Sequence, residues 1–492
     1  MTVAYPHLLT TPTKADIFNA INTAVGKRRA MRPKAQERWI TLSLPLPPID
    51  LLAALVELQT NGHEFYWESP QLAEGLAAAG IAAQWTGSGR DRFHQAQQVA
   101  DSWFARTQDI ALGTSSGLHV LCRFTFADGD RHHLQVEEQP CSATAAPCLI
   151  IPRWQVTRCR ATYRFTATLC LSDLGHTSAV EVACDNIWRC YTNLRQMAVL
   201  PQLDIPNLRS SARPVALRAS PFREQQFLSS VKALLTAIER RHLTKVVLAS
   251  ALDLTHRSSF SAVTALRLLR HRHSGCHIFA TRYGDQLFLG ASPERLFRIR
   301  RQRLSADAIA GSSPRGSTAA ADRALGETLR HSEKELHEHQ IVAHFIAGQL
   351  RQLGLKPSWS PHPQILRLAN IQHLHTPLTA QVPANIHPLQ IVASLHPTPA
   401  VAGLPQRAAC DAIAEHEPFE RSLYAAPLGW ISQQRDCEFI VGIRSALIDE
   451  TRIRLYAGAG IVQGSVPARE WAEVNMKLQA IASVLSLSDA MA

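Results

Sequence analysis

The chain has 492 residues and ten cysteines, yet no CxxC pair, no P-loop, no Gly-x-Gly-x-x-Gly string and no His or Cys at zinc-ligand spacing. A disulfide scaffold would show dense, patterned cysteines, and a nucleotide site a glycine-rich loop between strand and helix. Neither has support here, nor does zinc. The cysteines sit in apolar or strand-like runs, as expected of reduced, buried thiols in a cytoplasmic protein. No apolar run reaches membrane-spanning length and no secretory core follows Met1, so no membrane segment is expected. Up to position 36 the only acid is Asp16, against Lys27, Arg28, Arg29, Arg32 and Lys34; a solvated basic helix is the expectation, with an organelle transit peptide as the alternative.

With 46% hydrophobic residues the chain is able to bury a large core. A net charge of +11 suits nucleic acid or a small polyanionic substrate. No recognition-helix, RNA-binding or zinc-finger signature accompanies it, so no nucleic-acid partner is expected. Three segments follow from composition: a basic tail (1–40), a β-rich N-terminal half (41–215) and a catalytic half (216–492), joined by LRSSARPVALRASP (208–221).

The second half is the more explicit. FREQQFLSSVKALLTAIERRH (222–242) has helical period, and TKVVLASALDL (244–254) alternates as a strand opened by Lys245. HIFATRY (277–283) and QLFLGAS (286–292) predict a hairpin around Gly284-Asp285. Ser332 to Leu350 reads as a helix with a Ser332–Glu335 capping box. CEFIVGIRSALI (437–448) and RIRLYAGAGIV (452–462) predict strands, and a last helix starts at Pro467. Strands and helices mixed in this way imply an α+β fold with helix-covered sheets.

Charges stand in apolar company. Glu294 follows the LFLGAS strand; Glu338 shares a helix stripe with Val342, Phe345 and Gln349; Glu470, Glu473 and Lys477 lie at i, i+3, i+7. Unpaired charge in such settings costs several kcal/mol, which favours a metal or charged ligand. The alternatives are a solvated carboxylate near a helix start for Glu338, the capping box for Glu335 and a surface i,i+4 pair for Glu473–Lys477. Two carboxylates from separate helices suit Mg²⁺, which retains waters and accepts substrate oxygens. Gly311-Ser312 and Gly458-Ala459-Gly460 permit close backbone approach to an anion or, alternatively, form tight turns. Arg444, in the apolar VGIRSAL string, suits a bidentate grip on a carboxylate or an edge salt bridge.

Together these strings resemble the chorismate-utilising enzymes, which include isochorismate, salicylate, anthranilate and aminodeoxychorismate synthases. The matching segments are TKVVLAS (244–250), FLGASPERLF (288–297), AIAGSSPRG (308–316), SEKELHEHQIV (332–342), IQHLHTPL (371–378), LHPTPAVAGLP (395–405), EPFERSLYAAPLGW (417–430), VGIRSALI (441–448), YAGAGIV (456–462) and GSVPAREWAEVNMK (464–477). They keep the family's order over the second half; in the first, HEFYWESP (63–70) carries a faint likeness.

The resemblance implies a large chorismate-binding fold of two related halves, with stacked mixed sheets, flanking helices and the site in the cleft. It implies Mg²⁺ on Glu338 and Glu473, with Glu335 and Glu470 behind them. It implies substrate contacts from Ser312, His373, Tyr424, Arg444, Gly460 and Lys477, and an acid–base pair in Lys245 and Glu294. Lysine at 245 separates the chain from anthranilate synthases, and Ala310 stands where aminodeoxychorismate synthases carry a nucleophilic lysine. Water addition to chorismate remains: Lys245 as general base towards C2 and Glu294 as acid for the departing C4 hydroxyl. That is isochorismate synthase. It needs no glutamine amidotransferase and is expected to act as a monomer or homodimer. Salicylate synthase is the alternative. A third is a weakened, chorismate-binding protein, suggested by Ala426 for the usual glycine, Glu335 for aspartate and Val474 for threonine.

Overall fold

The structure, a computed structural model, describes residues 3–5, 11–29, 37–59, 63–114, 117–128, 148–199, 221–255, 260–369, 371–449 and 452–485. The 208–220 connection, Arg32 and Lys34 lie outside them. Among the described residues no helix is long and apolar enough to cross a membrane. The nine described cysteines are free thiols.

Two largely antiparallel sheets share the strand Cys148–Cys159. One edge of that strand pairs with Glu74–Thr86; the other meets His119–Arg123 through residues 148–150 and Thr162–Cys170 through residues 154–159, and there the sheets part. The first sheet runs from Lys245–Thr255 through Arg452–Val462, Ser445–Asp449, Gln286–Ser292, His277–Tyr283 and His63–Ser69 to Glu74–Thr86, and beyond the shared strand to Trp39–Leu46. The second runs from Ile371–Gln381 through Arg303–Pro314, Arg295–Arg300, Cys437–Val441 and Pro427–Ser432 to His119–Arg123. Among the described residues, only Thr107–Leu112 pairs in parallel, with Trp39–Leu46 and Val3–Tyr5. Both sheets therefore mix strands from early and late in the chain. Arg298 of the second sheet also binds Glu74 at 2.7 Å.

The chain passes directly between the sheets at two places. Gln286–Ser292 lies in the first and Arg295–Arg300 in the second, so Glu294 stands at the crossing. The single strand expected at 437–448 is likewise two, Cys437–Val441 and Ser445–Asp449, in different sheets. Arg444 occupies that break with φ of 53°, a left-handed conformation incompatible with an unbroken strand. The crossings are stitched together: Val441 N–H donates to Glu294 O (3.1 Å), Ala291 N–H to Arg444 O (3.1 Å), and Ser292 Oγ to Val441 O (2.6 Å).

Helix Glu333–Gln352 lies on the second sheet and Pro467–Val484 on the first. The former is anchored by Val342, Ile346 and Leu350, each at most 2% exposed, and full burial of such a side chain is worth roughly 1.5–3 kcal/mol. The β-rich reading of 41–215 missed three helices there: Leu51–Leu58, Arg92–Arg106 and Thr177–Val199. In the last, Val180, Cys184, Ile187, Tyr191 and Leu194 are buried at helical spacing, a signal present in the sequence but interrupted by polar residues.

Candidate active site

Lys245 opens the strand Lys245–Thr255 of the first sheet and is 0% exposed. Its Nζ lies 2.8 Å from Glu338 Oε1, reaching across to the helix of the second sheet. Gly460, on the strand paired with Lys245–Thr255, makes this possible. A Cβ there would stand 2.4 Å from Glu338 Oε1 and 3.2 Å from Lys245 Cε. Gly458 similarly leaves room for the Tyr424 hydroxyl, 3.1 Å from where its Cβ would be. These glycines admit side chains within a regular strand; neither forms a turn. Gly460→Ala is expected to force the ion pair apart, lowering kcat ~10- to 100-fold with a stability loss of ~1–3 kcal/mol, read from steady-state kinetics and thermal melting.

Around Gly311 the strand Arg303–Pro314 bulges, with φ of 75°. The bulge turns Ser312 inward, so its Oγ donates to Glu473 Oε1 at 2.9 Å and its N–H to Glu335 Oε2 at 3.0 Å. Half of the expected capping box forms, since Ser332 Oγ accepts from Glu335 N. The Glu335 carboxylate instead serves the bulge. Burial, with Glu338 and Glu473 nearby, raises its pKa. Lys334, not singled out from the sequence, sits 3.0 Å from Glu470 and 3.6 Å from Glu335; burial raises the Glu470 pKa.

Glu473 and Lys477 form the i,i+4 pair at 2.7 Å, but most of each side chain is buried, and Lys477 also donates to Gly458 O. Burial pushes the Glu473 pKa up; Lys477 and Ser312 outweigh it and hold the carboxyl at about 2. Glu294, 6% exposed at the crossing, has the opposite balance. Burial outweighs Lys245 and lifts its pKa to about 7. Thr398, 2% exposed, has a buried hydroxyl without a hydrogen-bond partner among the described residues.

The remaining pocket positions converge electrostatically. His373, paired with Ser312 across the sheet, directs Nδ1 at Gly311 O (3.2 Å) and leaves Nε2 buried without a partner among the described residues. Burial, with Arg444 and Lys477 near, depresses its pKa to about 3, so the ring is neutral. Tyr424 stacks on Tyr456 with centroids 4.9 Å apart, and burial raises its pKa to about 12. Arg444 lines a small cavity of about 20 Å³ with Cys276, Pro293 and Ile481.

Glu338 and Glu473, from different helices, offer hard oxygen donors, each now held by a lysine. Among the described residues no group of three or more acidic, His or Cys side chains encloses an ion position. Two carboxylates from separate helices, which leave the other positions to water and substrate, are the donor chemistry that Mg²⁺ prefers. The donor set fits that ion.

A buried lysine beside a protonatable carboxyl and hard-oxygen donors is the equipment of an enzyme for small anionic substrates. Sequence comparison narrows this. The model of the chorismate binding enzyme family matches residues 23–486, and the chain belongs to that family. Such enzymes are generally Mg²⁺-dependent. The chain is 34% identical over 472 residues to the salicylate biosynthesis isochorismate synthase of Pseudomonas aeruginosa, covering 94% of this chain and 93% of that one. It is 33% identical to the isochorismate synthase MenF of Escherichia coli over 347 residues, 69% of this chain and 75% of that one. The solved menaquinone-specific isochorismate synthase MenF from E. coli superposes with a TM-score of 0.71 at 26% identity, over 95% of this chain and all of that one. Anthranilate synthase component I from Streptococcus pneumoniae shares the fold alone, with a TM-score of 0.56 at 15% identity over 96% of this chain and all of that one.

Proposed function

We propose that the protein is an isochorismate synthase, which adds water at C2 of chorismate and expels the C4 hydroxyl. The observation that carries this reading is a fully buried lysine, held by Glu338, in one site with a buried carboxyl, Glu294, whose pKa is lifted to about 7. In this reading Lys245, as the neutral amine, takes a proton from the water that attacks C2 and becomes the ammonium. Glu294, protonated below about pH 7, gives its proton to the oxygen leaving C4. Atoms balance: hydroxide enters at C2, water leaves from C4 and the ring double bonds shift between them. Arg444, Tyr424 and Lys477 hold the substrate carboxylates, Gly460 keeps the floor of the site open, and Ser312 and His373 line the ring. Glu338 and Glu473 would hold Mg²⁺, with Glu335 and Glu470 behind them; bound there, the ion neutralises and orients a substrate carboxylate. Water as nucleophile removes the need for an amidotransferase partner.

The test is direct. Purified protein with chorismate and Mg²⁺ is expected to form isochorismate, detected by chromatography, and to stop with EDTA. Salicylate fluorescence without an added lyase would identify a salicylate synthase instead, and no turnover would identify a binding protein. Because the acid must be protonated and its pKa is raised, kcat is expected to fall as pH rises through about 7. A kcat flat from pH 6 to 9 would remove Glu294 from the acid role.

A further inference from the structure

Behind the Lys245 strand lies a buried ion pair that no step above uses. Glu417 and Arg421 are 6% and 3% exposed. The guanidinium donates from Nε to Glu417 Oε2 (2.8 Å) and from Nη2 to Glu417 Oε1 (2.6 Å). Its remaining bonds leave the pair: Nη2 to Val247 O (2.8 Å) and Nη1 to Val401 O (2.6 Å). Glu417 Oε1 also accepts Ala249 N–H at 2.7 Å. Phe126 covers the guanidinium, 4.5 Å from its ring centre.

Those two carbonyls belong to separate parts of the site. Val247 lies two residues beyond Lys245 on its strand. Val401 lies in the segment carrying Thr398, whose carbonyl accepts Val401 N–H (3.1 Å) and Ala402 N–H (2.9 Å). The segment is zipped to the strand by Val247 N–H to Ala402 O and Thr244 N–H to Leu404 O, both 2.7 Å. At Gly403, φ of 143° brings the chain so close that a Cβ would lie 2.1 Å from Lys245 O. The strand presents Lys245, and the segment presents the buried Thr398 side chain.

We propose that Arg421 is a positioning residue, a clamp whose bonds to Val247 O and Val401 O hold the strand carrying Lys245 in place against the Thr398–Leu404 segment. This rests on the acid–base reading above. A buried charge is costly unless it is paired and fully bonded, and here the bonds left over from the Glu417 pair go to the Val247 and Val401 carbonyls. Planar fork geometry, unlike an ammonium, fixes several acceptors in one plane. The clamp acts through backbone carbonyls; its guanidinium also lies 5.6 Å from the Tyr424 ring centre.

Arg421→Lys retains the charge opposite Glu417 and loses the fork. It is expected to lower kcat ~10- to 100-fold, the penalty of about an ångström of misplacement, while KM stays within about twofold. In a Lys245→Gln background the same change is expected to alter the residual rate less than about twofold, since residues acting as one unit are non-additive. Arg270→Lys, at the 2.8 Å half-buried Arg270–Asp50 pair elsewhere in the fold, serves as control: a drop in melting temperature with kcat retained. Wild-type kcat in Arg421→Lys, or an equal fall with and without Lys245, overturns the clamp. If Arg421→Lys does not fold, Glu417→Gln, which retains an acceptor for Ala249 N–H, is read by the same criteria. Full activity of Lys245→Gln alone would instead defeat the acid–base reading.

Discussion

Lys245→Gln is expected to lower kcat for isochorismate formation by ~10²–10⁴-fold, the usual contribution of a positioned general base. KM should change little. Glutamine retains a donor towards Glu338, whose carboxylate now accepts from Nζ at 2.8 Å, so loss of the base is separated from exposure of an unpaired acid. Lys245→Met would mix the two, because an orphaned buried carboxylate carries its own penalty. Single-turnover measurement separates the chemical step from product release. A glutamine variant with wild-type single-turnover rate would transfer the base role elsewhere.

The second large effect concerns the two helical carboxylates. Glu338→Gln and Glu473→Gln are each expected to weaken Mg²⁺ binding in calorimetry and to lower turnover at least ~10²-fold, because the charge a divalent cation needs is halved. Glu473→Gln has a further signature. The folded-state pKa of about 2 lies below the ordinary carboxylate value. A depressed pKa stabilises the fold above the unfolded value and loses that contribution as pH falls towards the folded one. Without Mg²⁺, wild-type melting temperature should therefore drop between about pH 5 and 2 more steeply than that of Glu473→Gln, which has nothing to protonate. Parallel curves would show that Lys477 and Ser312 do not hold this carboxyl in the anionic form.

Legibility differed between the halves for physical reasons. Strands such as His277–Tyr283 and Gln286–Ser292 are bounded by a Gly-Asp turn, and their limits are readable residue by residue. Arg452–Val462 is similarly clear, an apolar run closed at Gly464. The strand 437–448 was not, because its break at Gly442 and Arg444 depends on which sheet each part joins, a choice local propensity does not encode. Glu338 was legible as an inward carboxylate by its stripe. Lys334 was not, since a lysine near a helix start reads as a solvated side chain until its two acidic partners are placed in space. Arg421 stands within one of the matching strings, but its work lies in a contact across a long sequence separation, with Val247.

The mixing of early and late strands also governs how the polypeptide reaches this state. His63–Ser69 pairs with His277–Tyr283, and His119–Arg123 with Pro427–Ser432, so the amino-terminal hairpins wait for neighbours synthesised hundreds of residues later. Such non-local pairing slows folding and leaves open strand edges in the nascent protein. Cutting the gene at the inter-half connection should then give two sticky fragments instead of two soluble modules, and the emerging chain has reason to depend on a holding chaperone until its last strands leave the ribosome.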